Sequence, residues 1–275
     1  MLLFRVYLIA ISVIVREHGC NPDFIIDWIS LFSCMSNFSE TSFQSKDEAR
    51  KVVWDALESE NVVQFPFPPH GRIPNFAGAR EAANRLFNHP VTEGVKTMKV
   101  NPDAPQRYVR EQALRHGIIL FMPTPRLRAG FKKFDPRTIP EDKYSQAASL
   151  SKGEPFAETV SLDALPQMDL IGAGSVAVTL DGQRCGKGEG YSDIEYAILR
   201  ELGHDPVPVA TTVHPVQVVG AFPTDPHDIS LSLIITPEEE IEVENPGSGP
   251  TGIDWDKLTD EYLLSMPILK ELRDR

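Results

Sequence analysis

The chain has 275 residues and a formal net charge of −12, and 41% of its residues are hydrophobic. This length suits one domain or two and provides enough apolar side chains for a sizeable core. The acidic balance argues against a general nucleic-acid-binding protein, which would present a basic surface. The three cysteines are an odd number without the spacing of a zinc site, so we expect a reducing, cytoplasmic setting.

The first residues are apolar but match no standard targeting signal. The apolar stretch from Leu2 to Val15 is shorter than the roughly 20 residues that a membrane-spanning helix needs. The residues that follow it are a poor match to a signal-peptide cleavage site. We interpret residues 1–34 as an upstream extension ahead of a second start at Met35, with an amphipathic packing or membrane-surface helix and a signal peptide as alternatives. We expect no stable membrane insertion, and we assign residues 1–44 to an N-terminal extension outside the core.

The core domain is predicted to begin at Ser45, which forms a capping-box pattern with Glu48. Apolar residues at helical spacing follow, and they predict one buried face formed by Ala49, Val52, Val53, Ala56 and Leu57. Further along the chain, periodicity predicts helices over 77–88, 104–116 and 191–202 and strands over 95–100, 118–122, within 168–180, and over 207–213, 216–219 and 230–236. The polar, proline-rich stretch 124–155 is predicted to be a long loop or lid with helical pieces.

Strands that alternate with helices predict an α/β fold, namely a three-layer α/β/α sandwich with a largely parallel sheet. We assign residues 45–237 to this domain and residues 238–275 to an acidic C-terminal tail. The glutamates of that tail are interpreted as a solvated surface. Four apolar residues near the end fit a helix that docks on the domain, with a flexible tail as the alternative; they are Trp255, Leu258, Tyr262 and Leu263.

The most informative segment lies between a predicted strand and a predicted helix. It reads Asp181-Gly-Gln-Arg-Cys-Gly-Lys-Gly-Glu-Gly-Tyr-Ser-Asp193. Glycines at alternate positions let the backbone approach a ligand closely, and the start of the helix offers unpaired N–H groups to an anion. The segment therefore predicts a phosphate-binding loop, with an ordinary glycine-rich connection as the alternative. The residues concerned are Arg184, Gly186, Lys187, Gly188 and Gly190, together with Asp193, whose carboxylate suits Mg²⁺.

Lys46 and Arg50 are a second candidate group, because residues four apart share one face of a helix. A cation in the first turn opposes the helix dipole, and a bound phosphate would explain Lys46 better than an exposed position does. An ordinary surface lysine is the alternative.

Two further pairs of residues stand next to predicted strands. Arg126 and Arg128 follow the buried strand over 118–122 and either hold carboxylates of a ligand or lie solvated in a loop. His227 and Asp228 precede the last strand, where Asp228 either assists a metal ion or serves in a turn.

Together these residues resemble the 5-formyltetrahydrofolate cyclo-ligase family, also called methenyltetrahydrofolate synthetases. Lys46-x-x-x-Arg50 matches on the first helix, and His227-Asp228 matches ahead of the last strand. The segment 182–193 is similar to the family pattern G-x-R-x-G-x-G-x-G-Y-Y-D. The likeness covers residues 45–237, and the tail with Gly252-Ile-Asp-Trp255 is more similar to a divergent branch, the methenyltetrahydrofolate synthetase domain-containing proteins.

The resemblance implies a three-layer α/β/α fold and a reaction in which 5-formyltetrahydrofolate closes to 5,10-methenyltetrahydrofolate with ATP and Mg²⁺. In the family, ATP phosphorylates the formyl oxygen, the N10 amine attacks the activated carbon, and phosphate leaves. Positioning and charge stabilisation matter more for such chemistry than a covalent nucleophile. The nucleotide-binding residues implied are Lys46, Arg50, Arg184, Gly186, Lys187, Gly188, Glu189 and Gly190; the catalytic residues are Arg184, Lys187 and Tyr191; the metal ligands are Asp193 and Asp228.

The sequence departs from the family pattern at three places. Ser192 replaces the second aromatic residue of Y-Y-D, and Ser232 stands where the family often has an aspartate four residues after Asp228. The acidic position that binds substrate in the family has no clear counterpart among residues 65–74. These departures keep open an alternative function as a non-catalytic nucleotide- or folate-binding or regulatory module. The expected partner is a small-molecule reduced folate and not a nucleic acid, and the sequence does not determine the oligomeric state.

Overall fold

The computed structural model describes residues 41–274 of the protein. The interpretation of residues 1–34 and the second start at Met35 lie outside the described residues. Within the described part of the chain, no helix combines the length and the apolar character needed to cross a membrane.

Helix α1 (Lys46–Ser59) begins where the sequence predicted it. The backbone N–H of Glu48 donates to Ser45 Oγ at 3.1 Å, and the Glu48 carboxylate accepts from the backbone N–H of Gln44 at 2.7 Å. The side-chain cap is therefore confirmed, with the reciprocal bond shifted one residue towards the N-terminus from that of a capping box. Three of the predicted face residues are buried and two are half-buried: Ala49, Val53 and Leu57 in the first group, Val52 and Ala56 in the second.

The remaining elements follow the predicted order. The helices are α2 (Ala79–Asn88), α3 (Gln106–Arg115), α4 (Tyr144–Ala147), α5 (Tyr191–Glu201), α6 (Asp260–Ser265) and α7 (Pro267–Arg273). The strands are β1 (Val63–Gln64), β2 (Asn75–Phe76), β3 (Thr97–Val100), β4 (Ile119–Pro123), β5 (Phe131–Phe134), β6 (Glu158–Val160), β7 (Leu170–Ala173), β8 (Ala177–Thr179), β9 (Arg184–Cys185), β10 (Val209–Thr212), β11 (Val218–Val219), β12 (Leu233–Ile235) and β13 (Glu240–Glu242).

Eight strands form the main sheet in the order β13-β12-β10-β7-β3-β4-β5-β6. The five central strands, from β12 to β4, run parallel, and the outer strands pair antiparallel. A smaller sheet has the order β11-β8-β9, and β1 pairs with β2 in a hairpin. The predicted largely parallel sheet is confirmed.

Alternate residues of the central strands pack on opposite faces of the main sheet, as the two-residue period of a strand requires. Leu170 packs with helices α2 and α3, whereas the next residue, Ile171, packs with α5 and α7. Helices therefore cover both faces, and the predicted three-layer α/β/α sandwich is confirmed. Helix α1 instead packs on the smaller sheet, where Val53 and Leu57 lie in one cluster with Val176 and Cys185.

The order of the parallel strands reverses between β3 and β7. From β3 the chain continues to β4 on one side, whereas after β7 it continues to β10 and β12 on the other side. Because the connecting segments leave in opposite directions, a crevice opens at the carboxyl ends of these two strands. The ends of the two strands contact each other, since the backbone N–H of Gly174 donates to Asn101 Oδ1 at 3.3 Å.

Two sequence predictions need correction. The proposed loop over 124–155 contains strand β5, which pairs with β4 and β6. The two end residues of β5 are buried and the two middle residues are half-buried, so the sequence lacks the alternation that predicts a strand. The single strand predicted within 168–180 is two strands in different sheets. The chain leaves the main sheet at Gly174, where an added Cβ would lie 2.7 Å from Asp103 Oδ2.

The C-terminal segment 238–274 packs against the domain. Strand β13 extends the main sheet with its glutamates exposed. Beyond it, four apolar residues pack against the core cluster that contains α5; they are Trp255, Leu258, Tyr262 and Leu263.

Gly182 makes a close junction between the smaller sheet and the approach to β12. Its φ is +85°, and an added Cβ would lie 2.6 Å from the backbone oxygen of Leu231. We expect Gly182→Ala to cost about 1–2 kcal/mol for the left-handed backbone and a further ~1–3 kcal/mol for the steric overlap. Gly203→Ala is the matched control, because Gly203 has φ +84° with nothing near its added Cβ. Equal losses in urea unfolding of the two variants would contradict this account.

Candidate functional site

A cleft of about 790 Å³ lies at the switch point of the main sheet. The segments after β3 and β4 reach it, as do the β1–β2 hairpin, the β9–α5 connection and the start of α5. This is the edge at which the sequence placed a ligand site. In open α/β sheets, ligands bind in this crevice because loops of opposite direction leave the strands there.

The lining of the cleft is basic, although the chain is acidic overall. Four acidic side chains line it, and basic ones outnumber them in a protein of net charge −12. Such a concentration of positive charge favours an anionic ligand. The basic side chains are Arg72, Arg107, Arg110, Arg126, Arg184 and Lys187; the acidic ones are Asp103, Glu189, Asp193 and Glu195.

The glycine segment, residues 186–190, forms one wall of the cleft. Gly188 and Gly190 have φ of +104° and +69°, and Gly190 is the N-cap of α5. The positive φ values explain why glycine is needed at these two positions. Gly190 and the first residues of α5 line the cleft. The N-terminus of a helix carries unpaired backbone N–H groups that can stabilise an anion.

Arg184 fixes the base of the glycine segment. Its side chain is buried, donates from Nε to the backbone oxygen of Gly174 at 3.0 Å, and lies 3.4 Å from Asp193 Oδ1 through Nη1. An added Cβ at Gly186 would lie 2.9 Å from the Arg184 guanidinium. The glycine at this position therefore leaves room for the arginine that lines the cleft.

Arg50 contacts the glycine segment, and neither Arg50 nor Lys46 is among the residues that line the cleft. Arg50 Nε donates to the backbone oxygen of Gly186 at 2.7 Å, and its guanidinium lies against Gly188. Lys46 Nζ forms an ion pair with Asp228 Oδ2 at 2.5 Å. The structure thus brings Arg50 and Arg184 to one segment, whereas the Lys46 side chain contacts Asp228. The nucleotide-binding roles of these three residues stay predictions.

Each predicted cation of the site already has a carboxylate partner. Lys187 pairs with Glu189 at 2.6 Å, and both side chains are partly exposed. The other pairs are Lys46 with Asp228, Arg50 with Asp47, and Arg184 with Asp193. A polyphosphate that binds here would compete with these carboxylates for Lys187 and would share the guanidinium of Arg184 with Asp193.

Of the two predicted metal ligands, only Asp193 lines the cleft. Its Oδ1 accepts from the backbone N–H of Ile229 at 3.0 Å, and its Oδ2 accepts no hydrogen bond from residues 41–274. Asp228 is held by Lys46 and by the backbone N–H of Asp225 at 2.6 Å. The described residues contain no group of three or more potential metal-ligating side chains. One carboxylate that opens on a phosphate site still fits Mg²⁺, which keeps waters and uses substrate phosphates as ligands.

A buried polar cluster at the cleft was missed by the sequence analysis. Lys99 of β3 forms an ion pair with Glu195 of α5, and Asn101 Nδ2 donates to Glu195 Oε2 at 2.9 Å. Burial raises the pKa of Glu195, and it also raises the pKa of Asp103. The sequence carried no clear signal for this cluster, because β3 reads Thr97-Met-Lys-Val100 and lysines are ordinarily exposed.

Arg110 lies fully buried beside the cleft. It donates from Nη1 to the backbone oxygens of Asn101 at 2.5 Å and Asp103 at 3.1 Å. Burial lowers the pKa of Arg110 to about 9. The guanidinium holds the segment after β3 and thereby fixes the floor of the cleft.

The remaining predicted residues divide between the cleft and the surface. Tyr191, Ser192 and Arg126 line the cleft, whereas Arg128 is exposed and does not line it. His227 lies with Asp254 of the C-terminal segment at 3.1 Å. These positions leave the roles of Tyr191 and Arg126 as predictions.

The comparison with known proteins decides the family. A family model described as the 5-formyltetrahydrofolate cyclo-ligase family matches residues 43–237. The chain belongs to this family. The methenyltetrahydrofolate synthase domain-containing protein of Mus musculus is 42% identical over 238 residues, which are 84% of this chain and 64% of that protein. The Homo sapiens protein of the same name is 38% identical over 237 residues, which are 84% of this chain and 62% of that protein.

The chain therefore spans less than two thirds of the length of these cyclo-ligase relatives. Among solved structures, the 5,10-methenyltetrahydrofolate synthetase of Aquifex aeolicus is 17% identical with a TM-score of 0.46, over 73% of this chain and 93% of that chain. The family match ends at residue 237, so β13, α6 and α7 lie beyond it.

Tyr262, which lies beyond the family match, contacts the glycine segment. Its hydroxyl donates to the backbone oxygen of Glu189 at 3.1 Å. We expect Tyr262→Phe to cost about 1 kcal/mol of stability and to speed amide hydrogen exchange in residues 186–190. Tyr144→Phe is the matched control, because Tyr144 donates to the backbone oxygen of Pro136 at 3.2 Å, in a different part of the fold. Unchanged exchange of the glycine segment in Tyr262→Phe would show that this contact does not hold the loop.

Proposed function

We propose that the protein catalyses the ATP- and Mg²⁺-dependent closure of 5-formyltetrahydrofolate to 5,10-methenyltetrahydrofolate. The observation that carries this proposal is the basic cleft at the switch point, with the glycine segment at the start of α5 as its wall. Membership of the cyclo-ligase family supports the reaction class. The odd number of cysteines without the spacing of a zinc site supports a cytoplasmic location, and the net charge of −12 supports a small-molecule substrate in place of a nucleic acid.

The glycine segment and its basic neighbours suit the phosphates of a nucleotide. The backbone amides at the start of α5 bind phosphate oxygens, Lys187 reaches them from the cleft wall, and Arg184 approaches from the base. Arg50 supports the segment through the backbone oxygen of Gly186, and the Lys46 side chain pairs with Asp228. When phosphates bind, Lys187 exchanges Glu189 for a phosphate oxygen, which costs little because this pair is partly exposed.

Asp193 is the residue best placed for the metal ion. Its Oδ2 has no hydrogen-bond partner among the described residues, while its Oδ1 is fixed by the backbone of Ile229. ATP would supply the phosphoryl group that makes the formyl oxygen a leaving group, and Mg²⁺ would neutralise the phosphate charge. The chain itself orients the substrate and stabilises charge, and the cleft offers no serine or cysteine paired with a histidine base.

The remainder of the cleft suits a folate. Apolar side chains line it, among them Phe65 and Leu150, which are 77% and 55% exposed and therefore lie at its mouth. Flat aromatic ligands pack well against such side chains. Arginines from three separate segments also line the cleft and suit the carboxylates of a glutamate tail; they are Arg72, Arg107 and Arg126.

A non-catalytic nucleotide- or folate-binding module is the second candidate. It is favoured by the pairing of every predicted cation with a carboxylate and by the position of Asp228 away from the cleft. Ser192, which lines the cleft in place of the family's second aromatic residue, also favours it.

The test is an absorbance assay of methenyltetrahydrofolate formation by the full chain. We expect product from 5-formyltetrahydrofolate only when both ATP and Mg²⁺ are present. Thermal shifts with Mg-ATP alone, folate alone and both ligands provide a parallel measurement of binding. Binding of both ligands without turnover would establish the non-catalytic module, and binding of neither would refute both candidates.

Lys187 is expected to contribute to nucleotide binding and little to stability. Loss of one charge-assisted phosphate contact should weaken Mg-ATP about 10-fold in Lys187→Met. Lys51→Met is the matched control, because Lys51 is an exposed lysine on α1 whose partner Asp55 lies at 2.5 Å, as Glu189 lies at 2.6 Å from Lys187. Titration calorimetry with Mg-ATP compares the two. Equal affinities of both variants would remove Lys187 from the nucleotide site.

A further inference from the structure

The buried cluster at the cleft has a feature that the nucleotide site does not use. Glu195 is 3% exposed and yet lines the cleft. Its Oε2 is occupied by Lys99 and by Asn101. Its Oε1 accepts no hydrogen bond from residues 41–274, and it is also absent from the fully enclosed atoms that lack a partner. One oxygen of a buried carboxylate therefore faces the cleft.

This arrangement is costly unless it serves a ligand. Removing a carboxylate and an ammonium group from water carries a large desolvation penalty, and apolar residues of similar volume are often as stable as a buried ion pair. Glu195 is the charged residue at the start of the buried stretch of α5. Its neighbours Tyr196 and Ala197 pack in the core. Stability alone therefore gives no reason for a lysine and a glutamate at these positions.

The geometry fixes what the group can recognise. Lys99 balances the negative charge of the Glu195 carboxylate, and Asn101 fixes the orientation of that carboxylate. Asn101 Oδ1 in turn accepts from the backbone N–H of Gly174 at 3.3 Å. The oxygen that faces the cleft is an acceptor only, so its ligand must present N–H or O–H donors. Because it is charged and desolvated, such a hydrogen bond discriminates strongly against ligands that lack the donor.

We propose that Glu195 is the specificity-determining residue that binds the 2-amino group and the N3–H of the pterin ring through Oε1. The inference rests on the proposed function, because it takes a reduced folate as the ligand. The 2-amino-4-oxopyrimidine edge of a pterin presents two adjacent N–H donors, and the single free oxygen Oε1 can accept from both of them through its two lone pairs. Glu195 then supplies the acidic group for which residues 65–74 offered no counterpart, and Lys99 and Asn101 are its positioning residues.

The experiment measures the coupling between one ligand group and one side chain. Affinities of the full chain for 5-formyltetrahydrofolate and for its 2-desamino-2-methyl analogue are compared by calorimetry in the wild type and in Glu195→Gln. We expect the wild type to bind the analogue about 30-fold more weakly than the parent compound. In Glu195→Gln, the parent compound weakens by a similar factor, and the preference for it falls to roughly 3-fold or less.

Glu201→Gln is the matched control on the same helix. Glu201 accepts from the backbone N–H of Ile253 at 3.0 Å and lies with the C-terminal segment. This variant should keep the wild-type preference for the parent compound, and Mg-ATP affinity should be unchanged in both variants.

The outcomes separate this inference from the proposed function. If the wild type binds the analogue as tightly as the parent compound, Glu195 does not bind the amino group and only this inference fails. If the wild type binds neither folate, the proposed function and this inference fail together. If Glu195→Gln does not fold, the wild-type comparison still decides, because it requires no substitution.

Discussion

The rest of the site depends on the buried guanidinium of Arg184. It joins three parts of the fold, because it lies on β9 of the smaller sheet, donates to the backbone oxygen of Gly174 at the end of β7, and pairs with Asp193 at the start of α5. A buried charge must be paired and hydrogen-bonded, so these partners cannot separate without a large cost. Gly186 is required beside it, since a side chain there would occupy the space of the guanidinium.

The charges of the cleft follow from the acidic composition of the chain. Although the protein has a net charge of −12, its cleft collects basic side chains, and nearby carboxylates balance four of the basic residues at or next to the glycine segment. Each ion pair of the glycine segment is such a balance, and each has a carboxylate that can turn to a metal ion or to water. Ligand exchange within preformed pairs keeps the local charge nearly constant, which limits the reorganisation that binding demands.

Helix α5 links the cleft to the C-terminal segment. Its first turn places Asp193 in the cleft, where we propose that phosphates bind, and its second turn places Glu195 at the cleft floor. At its end, Glu201 contacts the C-terminal segment. The segment then returns to the glycine segment through Tyr262. The part of the chain beyond the family match thus supports the same helix that forms the site.

The sequence by itself determined the class of fold and the position of the glycine segment at the start of α5. Alternating apolar strands and amphipathic helices require a layered α/β sheet. The glycines of segment 186–190 allow backbone conformations with positive φ, and this property depends on the local sequence alone. Strand β5 was missed because it forms by pairing with β4 and β6, and its own residues do not alternate. Only the tertiary structure decided that Arg50 contacts Gly186, that Lys46 pairs with Asp228, and that Lys99 and Asn101 meet Glu195. Asn101 and Glu195 are 94 residues apart, and contacts at such separation are set by how the sheet packs on α5, which no local pattern encodes.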